Sequence, residues 1–327
     1  MKNIRDQNQT EIKEFLLLGF NAPHSVNNVL FFLFLVVYSM TLIGNILLIG
    51  LYLGDKHLHS PMYFFLSHLS ICDILLSTSV APILLCTFLS DGKTLTVAGC
   101  NAQSRVSGVI TAVECFLLTV MSYDRYLAIC NPLHYISNMS TMHCHHLVSW
   151  AWILGFLIAL TVMIMISLLA FCGNNVIDFV YCEFTALVQA SCSETFYVET
   201  VAIILSLPVI VLPFVFIIST YVSIFVAILR ISSIKGREKA FSTCSAHLTV
   251  VCMYYGILTA KYTAPARGHS LIINKTISVL YTLGTPFLNP IIYSLRNQEI
   301  RRTLNKFIFR ENIRWKVARL VNNNTCM

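Results

Sequence analysis

The stretch from Cys100 to Cys130 reads CNAQSRVSGVITAVECFLLTVMSYDRYLAIC. It opens on a cysteine, passes small polar residues and a lone acid, Glu114, and closes with Met121-Ser122-Tyr123-Asp124-Arg125-Tyr126. No charge lies between Glu114 and Asp124. Wound as a helix at about 1.5 Å per residue, Cys100 to Arg125 covers roughly 38 Å. That exceeds the ~30 Å hydrocarbon core of a bilayer. Such a helix places a thiol at one membrane face, a polar spot within, and an acid–arginine pair at the other face. The other apolar segments read as its scaffold.

The chain has 327 residues, 56% hydrophobic and only 11% charged, where a soluble protein carries about 25% charge. Its apolar residues form blocks near 26–52, 61–86, 98–130, 147–170, 197–229, 241–262 and 271–294. Blocks of this length span a bilayer as helices, so the expected fold is an all-α membrane protein with seven transmembrane helices. The blocks lack the alternation that a membrane barrel requires. They also lack the repeated halves of many transporters. The first block follows a polar stretch and is too long for a cleavable signal. No nucleophile–base pair, phosphate loop or zinc motif stands out, so neither an enzyme nor a nucleic-acid partner is expected.

Positive charge sets the expected orientation. Arg230, Lys235, Arg237 and Lys239 follow the fifth block, and Arg296, Arg301, Arg302, Lys306 and Arg310 follow the seventh. The loop 171–196 has no Lys or Arg but holds Asp178, Glu183 and Glu194. This predicts an extracellular N-terminus over 1–25, a membrane domain over 26–294 and a cytoplasmic tail over 295–327, in the plasma membrane. Asn8-Gln9-Thr10 is then a glycan acceptor. Asn138 and Asn323 would face the cytoplasm, and Asn274 sits too near the membrane. In the tail, Ile300, Leu304, Phe307 and Ile308 share one face, which suits a helix lying in the interface. His143, His145 and His146 are expected in a solvated inner loop rather than at a metal.

Two motifs add chemistry. Asp124-Arg125-Tyr126 ends the third span. The seventh holds Pro286-Phe287-Leu288-Asn289-Pro290-Ile291-Ile292-Tyr293, where proline removes a backbone hydrogen bond and favours a kink. Four cysteines, Cys100, Cys172, Cys182 and Cys192, cluster at the outer face and allow three pairings. Asp73 and Glu114 are acids within spans, which usually face the bundle interior. They would share a proton or hold a cation, with Asn45 and Asn289 completing the cluster.

These stretches together resemble a rhodopsin-like G-protein-coupled receptor, and within it the vertebrate olfactory receptors of the terrestrial-type group. The matching residues are Gly44-Asn45, Pro61 to Ser67, Met121 to Cys130, Lys239 to Leu248, and Pro286 to Asn297. Thr220-Tyr221 and Tyr254-Tyr255-Gly256 depart slightly from the family's Ser-Tyr and Phe-Tyr-Gly. The resemblance implies disulfides Cys100–Cys182 and Cys172–Cys192. It implies a sodium ion at Asp73 and Glu114; the alternative reading of these acids is a structural network with Glu114 protonated, and no other cofactor is implied. It also implies coupling to the olfactory stimulatory G protein through Asp124, Arg125, Tyr126, Tyr221, His247, Asn289, Pro290 and Tyr293, with Tyr255 near the pivot of the sixth span.

Counting outward from Arg125 in helical steps puts Ser104, Ser107, Gly108, Thr111 and Ala112 on one face. Aligning the other spans on Pro213, Tyr255 and Pro290, as the resemblance implies, adds Val201, Leu205, Ser206, Val209, Tyr255, Leu258, Thr259, Tyr262, Val279 and Thr282. The expected pocket is mostly apolar, with a few hydroxyls and no acid above Glu114. It suits a small, neutral, volatile odorant; Arg105, if inward, would admit an acid. The rivals are a rhodopsin-like receptor for a non-odorant ligand and a multi-pass transporter.

Overall fold

The computed structural model describes residues 12–90, 92–263, 270–297 and 299–305. Among these residues six helices are long and apolar enough to cross a membrane: α1 (His24–Gly54), α2 (Pro61–Leu89), α3 (Val97–Cys130), α4 (Thr141–Ser167), α5 (Phe196–Arg230) and a final helix, Leu271–Leu295. The seventh is Ile234–Thr263, bent by 41° between Ser242 and Cys244; it is α6, and Leu271–Leu295 is α7. Their outer faces are apolar too. Phe32, Ile46, Ile204 and Val222 are all more than half exposed, as in helices that meet lipid. The polar side chains instead turn inward: Asn45, Asp73, Glu114, Ser122, His247 and Asn289 are all buried.

The third span sits centrally, packed against α2, α4, α5 and α6. Small residues let neighbours approach closely. A Cβ on Gly155 would lie 2.7 Å from Val113 Cγ2, and one on Gly44 would lie 2.9 Å from Pro290 Cγ. Gly44 is thus what brings α1 onto the proline of α7.

Two spans contain a π-helical segment, Leu207–Val211 in α5 and Leu280–Gly284 in α7. Each ends two residues before a proline, Pro213 and Pro286. A proline ring has no N–H and crowds the carbonyl four residues back. An extra residue in the preceding turn relieves that crowding, and such bulges gather at functional sites.

At the Cys100 end lies a small sheet. Strand β1 (Glu14–Leu17) pairs antiparallel with β2 (Lys93–Thr96) and parallel with β3 (Val176–Ile177). Phe15 and Leu17 point inward and are fully buried, and Phe15 meets the Phe171 ring edge-on at 5.1 Å. The apolar alternation of Glu14–Leu17 is too short to stand out in the sequence. Lys275 of α7 fastens the strap, donating to Gly19 O at 2.8 Å and to Asp178 at 2.5 Å. Cys100 is bonded to Cys182 and Cys172 to Cys192, with Cα separations of 5.3 and 5.9 Å. Asn274 is buried, which leaves no room for a glycan.

At the Arg125 end, Tyr63 OH donates to Glu299 at 2.6 Å and lies 3.0 Å from Asn297 Oδ1. Residues 299–305 are helical, with Ile300 and Leu304 packed on the core. Asn8, Lys239's side chain and the tail from Lys306, including Phe307, Ile308, Arg310 and Asn323, lie outside the described residues. The inner-loop histidines require a correction. They stand on the first turns of α4, which begins at Thr141. Ser140 accepts from the His143 N–H at 3.3 Å, and His145 packs against Phe64 at 4.7 Å. This cap starts the helix before its apolar block. Among the described residues no group of three potential ligands is arranged for a metal.

Candidate functional site

A cavity of about 500 Å³ opens between α3, α4, α5, α6, α7 and the disulfide-tied loop after α4. Its inner end is a network of hydroxyls. Tyr281 OH lies 2.8 Å from Thr111 Oγ1 and 3.1 Å from Glu114 Oε2. Thr111 Oγ1 itself donates to Ser107 O at 2.7 Å, and Tyr254 OH donates to Thr111 O at 3.2 Å. Ser107 Oγ is buried without a partner. The walls are apolar: Ile158, Ala159 and Val162 from α4, Val209 and Ile210 from α5.

The loop side carries charge. Lys261 Nζ lies 3.0 Å from Glu183 Oε1 and donates to Tyr181 OH at 2.8 Å. It also stands 5.1 Å above the centre of the Tyr281 ring, within cation–π reach. Burial, and then the neighbouring Glu183 carboxylate, pushes the Tyr181 phenol up to about 12. At neutral pH it is a neutral hydroxyl. Arg105 also lines the cavity and donates to Ser167 Oγ at 2.8 Å, and Glu199 accepts from Thr195 at 2.8 Å.

Of the residues expected at the pocket, Ser104, Ser107, Gly108, Thr111, Ala112, Leu205, Ser206, Val209 and Tyr262 line this cavity. Val201, Tyr255, Leu258, Thr259, Val279 and Thr282 do not. In α5 Leu205, Ser206 and Val209 keep their expected place and Ala202 lines the cavity in place of Val201; in α7 Tyr281, inside the π segment, lines it in place of Val279 and Thr282. In α6 the inward face is one residue off. Tyr254 reaches α3, Tyr255 stacks near Phe214 at 4.8 Å, Leu258 is core and Thr259 is exposed. The expectation of no acid above Glu114 is corrected by Glu183 and Glu199; Arg105 turns to the cavity, and Lys261 adds a second cation. The signal for Lys261 was present: a cation in an apolar span is rare and faces the bundle.

The Arg125 end forms a second cluster. Arg125 is paired with the adjacent carboxylate of Asp124, which also accepts from Tyr135 OH at 2.8 Å. Burial, then the Asp124 charge, raises the Tyr135 phenol. Tyr221 OH lies 2.6 Å from His247 Nδ1, with the rings stacked. Tyr126 packs with Ile224, Ile228 and Cys244, joining α3, α5 and α6. Asn289 donates to both oxygens of Asp73, at 3.0 and 3.1 Å, while its own oxygen is buried without a partner. Asn45 bonds instead to the Thr41 and Pro286 carbonyls, and Glu114 to Tyr281. Tyr293 OH is buried and unbonded.

Comparison with known proteins gives one answer. A family profile described as olfactory receptor matches residues 34–311. The chain is 44% identical to olfactory receptor 5P56 of Mus musculus, over 93% of this chain and 98% of that one. It is 44% identical to olfactory receptor 5P3 of Homo sapiens, over 91% and 96%, and 40% identical to olfactory receptor 13F1 of Homo sapiens, over 93% and 96%.

Proposed function

Because the chain belongs to the olfactory receptor family, a group of multi-pass plasma-membrane receptors and not of enzymes, we propose that it binds a small volatile odorant in the cavity at the Cys100 end and activates a stimulatory G protein to raise cyclic AMP. The observation that carries the ligand reading is the cavity itself. Its volume of about 500 Å³ and its apolar walls suit a small molecule held by a few polar groups. In this reading the Cys100 end is extracellular, as is the N-terminus, and the Arg125 end is cytoplasmic. The run of basic residues after α5 supports that orientation.

Signalling then follows from a population shift: the odorant binds one arrangement of the bundle more tightly than the other. The hydroxyls joining Tyr281, Thr111, Tyr254 and Glu114 connect the cavity floor to three spans, so a ligand pressing on Tyr281 biases α3, α6 and α7 together. At the other end α6 is packed onto Tyr126 through Cys244. Its outward movement would part Tyr221 from His247 and open the space beside Arg125 and Tyr293 to the G protein. A sodium ion between Asp73 and Glu114 belongs to the same proposal. The orphaned Asn289 oxygen beside Asp73 is a third hard donor of the kind such a cation takes.

The test is a cyclic AMP reporter in cells expressing the full chain, screened against a chemically broad odorant panel. A saturable response to at least one neutral odorant is expected. Silence across the panel at verified surface expression would contradict the reading.

A further inference from the structure

Lys261 is the feature that the receptor reading does not use. Its side chain is only 11% exposed, yet it lines the cavity. An ammonium has three N–H donors. One faces Glu183 and one Tyr181, and Nζ stands over the Tyr281 ring whose hydroxyl rests on Thr111. The cation is therefore reached from the cavity, one ring away from its polar inner end. The other charged lining groups have partners of their own: Arg105 has Ser167, and Glu199 has Thr195.

Resting on the reading of this cavity as the odorant site, we propose that Lys261 selects ligands carrying a neutral hydrogen-bond acceptor, a ketone, aldehyde or ester oxygen on an apolar frame. The carbonyl oxygen takes the remaining Lys261 N–H. Glu183 sets the charge preference. It already neutralises Lys261, so a carboxylate ligand meets an acid beside the cation and gains little. An amine meets the same neutralised pair and gains little as well. The apolar frame lies against the α4 and α5 walls.

The experiment is the reporter assay with one hydrocarbon frame carried through an alkene, alcohol, ketone, aldehyde, carboxylic acid and amine, at matched surface expression. The ketone and aldehyde should be the most potent, ahead of both the carboxylic acid and the amine. Lys261→Met should weaken the ketone about tenfold or more, to the level of the alkene, while Lys261→Arg keeps it within about threefold; one charged hydrogen bond is worth that much. The double variant Lys261→Met with Glu183→Gln leaves no buried unpaired acid, so it reads the loss of the donor even if the single variant folds poorly. Glu183→Gln alone should raise carboxylic acid potency about tenfold or more. The proposal is overturned if ketone and alkene are equally potent in the wild type, if the acid is the best wild-type ligand, or if the double variant keeps the ketone preference. A wild-type chain at the surface that answers none of the series, nor the broad panel, overturns the odorant-site reading and this inference with it. Responses elsewhere in the panel with no carbonyl preference sink the inference alone.

Discussion

Single side chains divide into those that shape the cavity and those that hold the opposite end. Arg125 is buried and neutralised by Asp124. Arg125→Ala should abolish odorant-driven cyclic AMP and leave most of the surface expression, because Asp124 keeps its bond from Tyr135. Flow cytometry beside the reporter checks both; a variant that signals normally ends the proposed role. Thr111 behaves differently. Its hydroxyl donates to Ser107 O and receives Tyr281, so it has no proton left for a ligand. Thr111→Val should shift every agonist rightward by roughly 2- to 12-fold, about 0.5–1.5 kcal/mol, without changing their order. A reordered potency series would show a direct ligand contact instead. The inward face of α3 could be read from the sequence because that helix runs unbroken from Val97 to Cys130, so steps counted from Arg125 keep their phase. Lys261 escaped because it ends an apolar block, where a cation also reads as reaching for the headgroups.

For whole elements, the limits of the sequence lie in phase rather than in existence. All seven spans were visible as apolar blocks. Which face each one turns inward was legible only in part: the α3 face held, while in α6 Tyr255, Leu258 and Thr259 miss the cavity, and in α7 Tyr281 takes the place of Val279 and Thr282 inside a π segment that periodicity alone cannot register. Strand β1 was invisible for another reason: four residues with partners far along the chain leave no local pattern. It nonetheless buries two large side chains. Phe15→Ala should cost about 3–5 kcal/mol, the range for emptying a phenylalanine site, and lower the thermal midpoint of the detergent-purified receptor. An unchanged midpoint would mean that the strap is not part of the folded unit. The loop bridge is a further element-scale test. Cys100→Ser and Cys182→Ser should each block maturation, and the double variant should be little worse than either, because both remove one and the same bond. Glycan maturation on immunoblots reports the result; additive defects would indicate separate roles for the two thiols.

In the whole molecule, two clusters sit at opposite ends of one central helix, a cavity at the Cys100 end and the Arg125 cluster at the other. The account claims that the first controls the second. Gly108 offers a clean way to break that link. It lines the cavity, and the nearest side-chain atom to an added Cβ is that of Ala159 at 4.0 Å, so Gly108→Leu adds bulk at the cavity wall. The direct measurement is nucleotide exchange on a purified stimulatory G protein, driven by the purified receptor with and without an odorant identified in the screen. The account predicts odorant-dependent acceleration by the wild-type chain, and none by Gly108→Leu with both disulfides intact. Exchange that ignores the odorant, or that Gly108→Leu supports as well as the wild type, would contradict it.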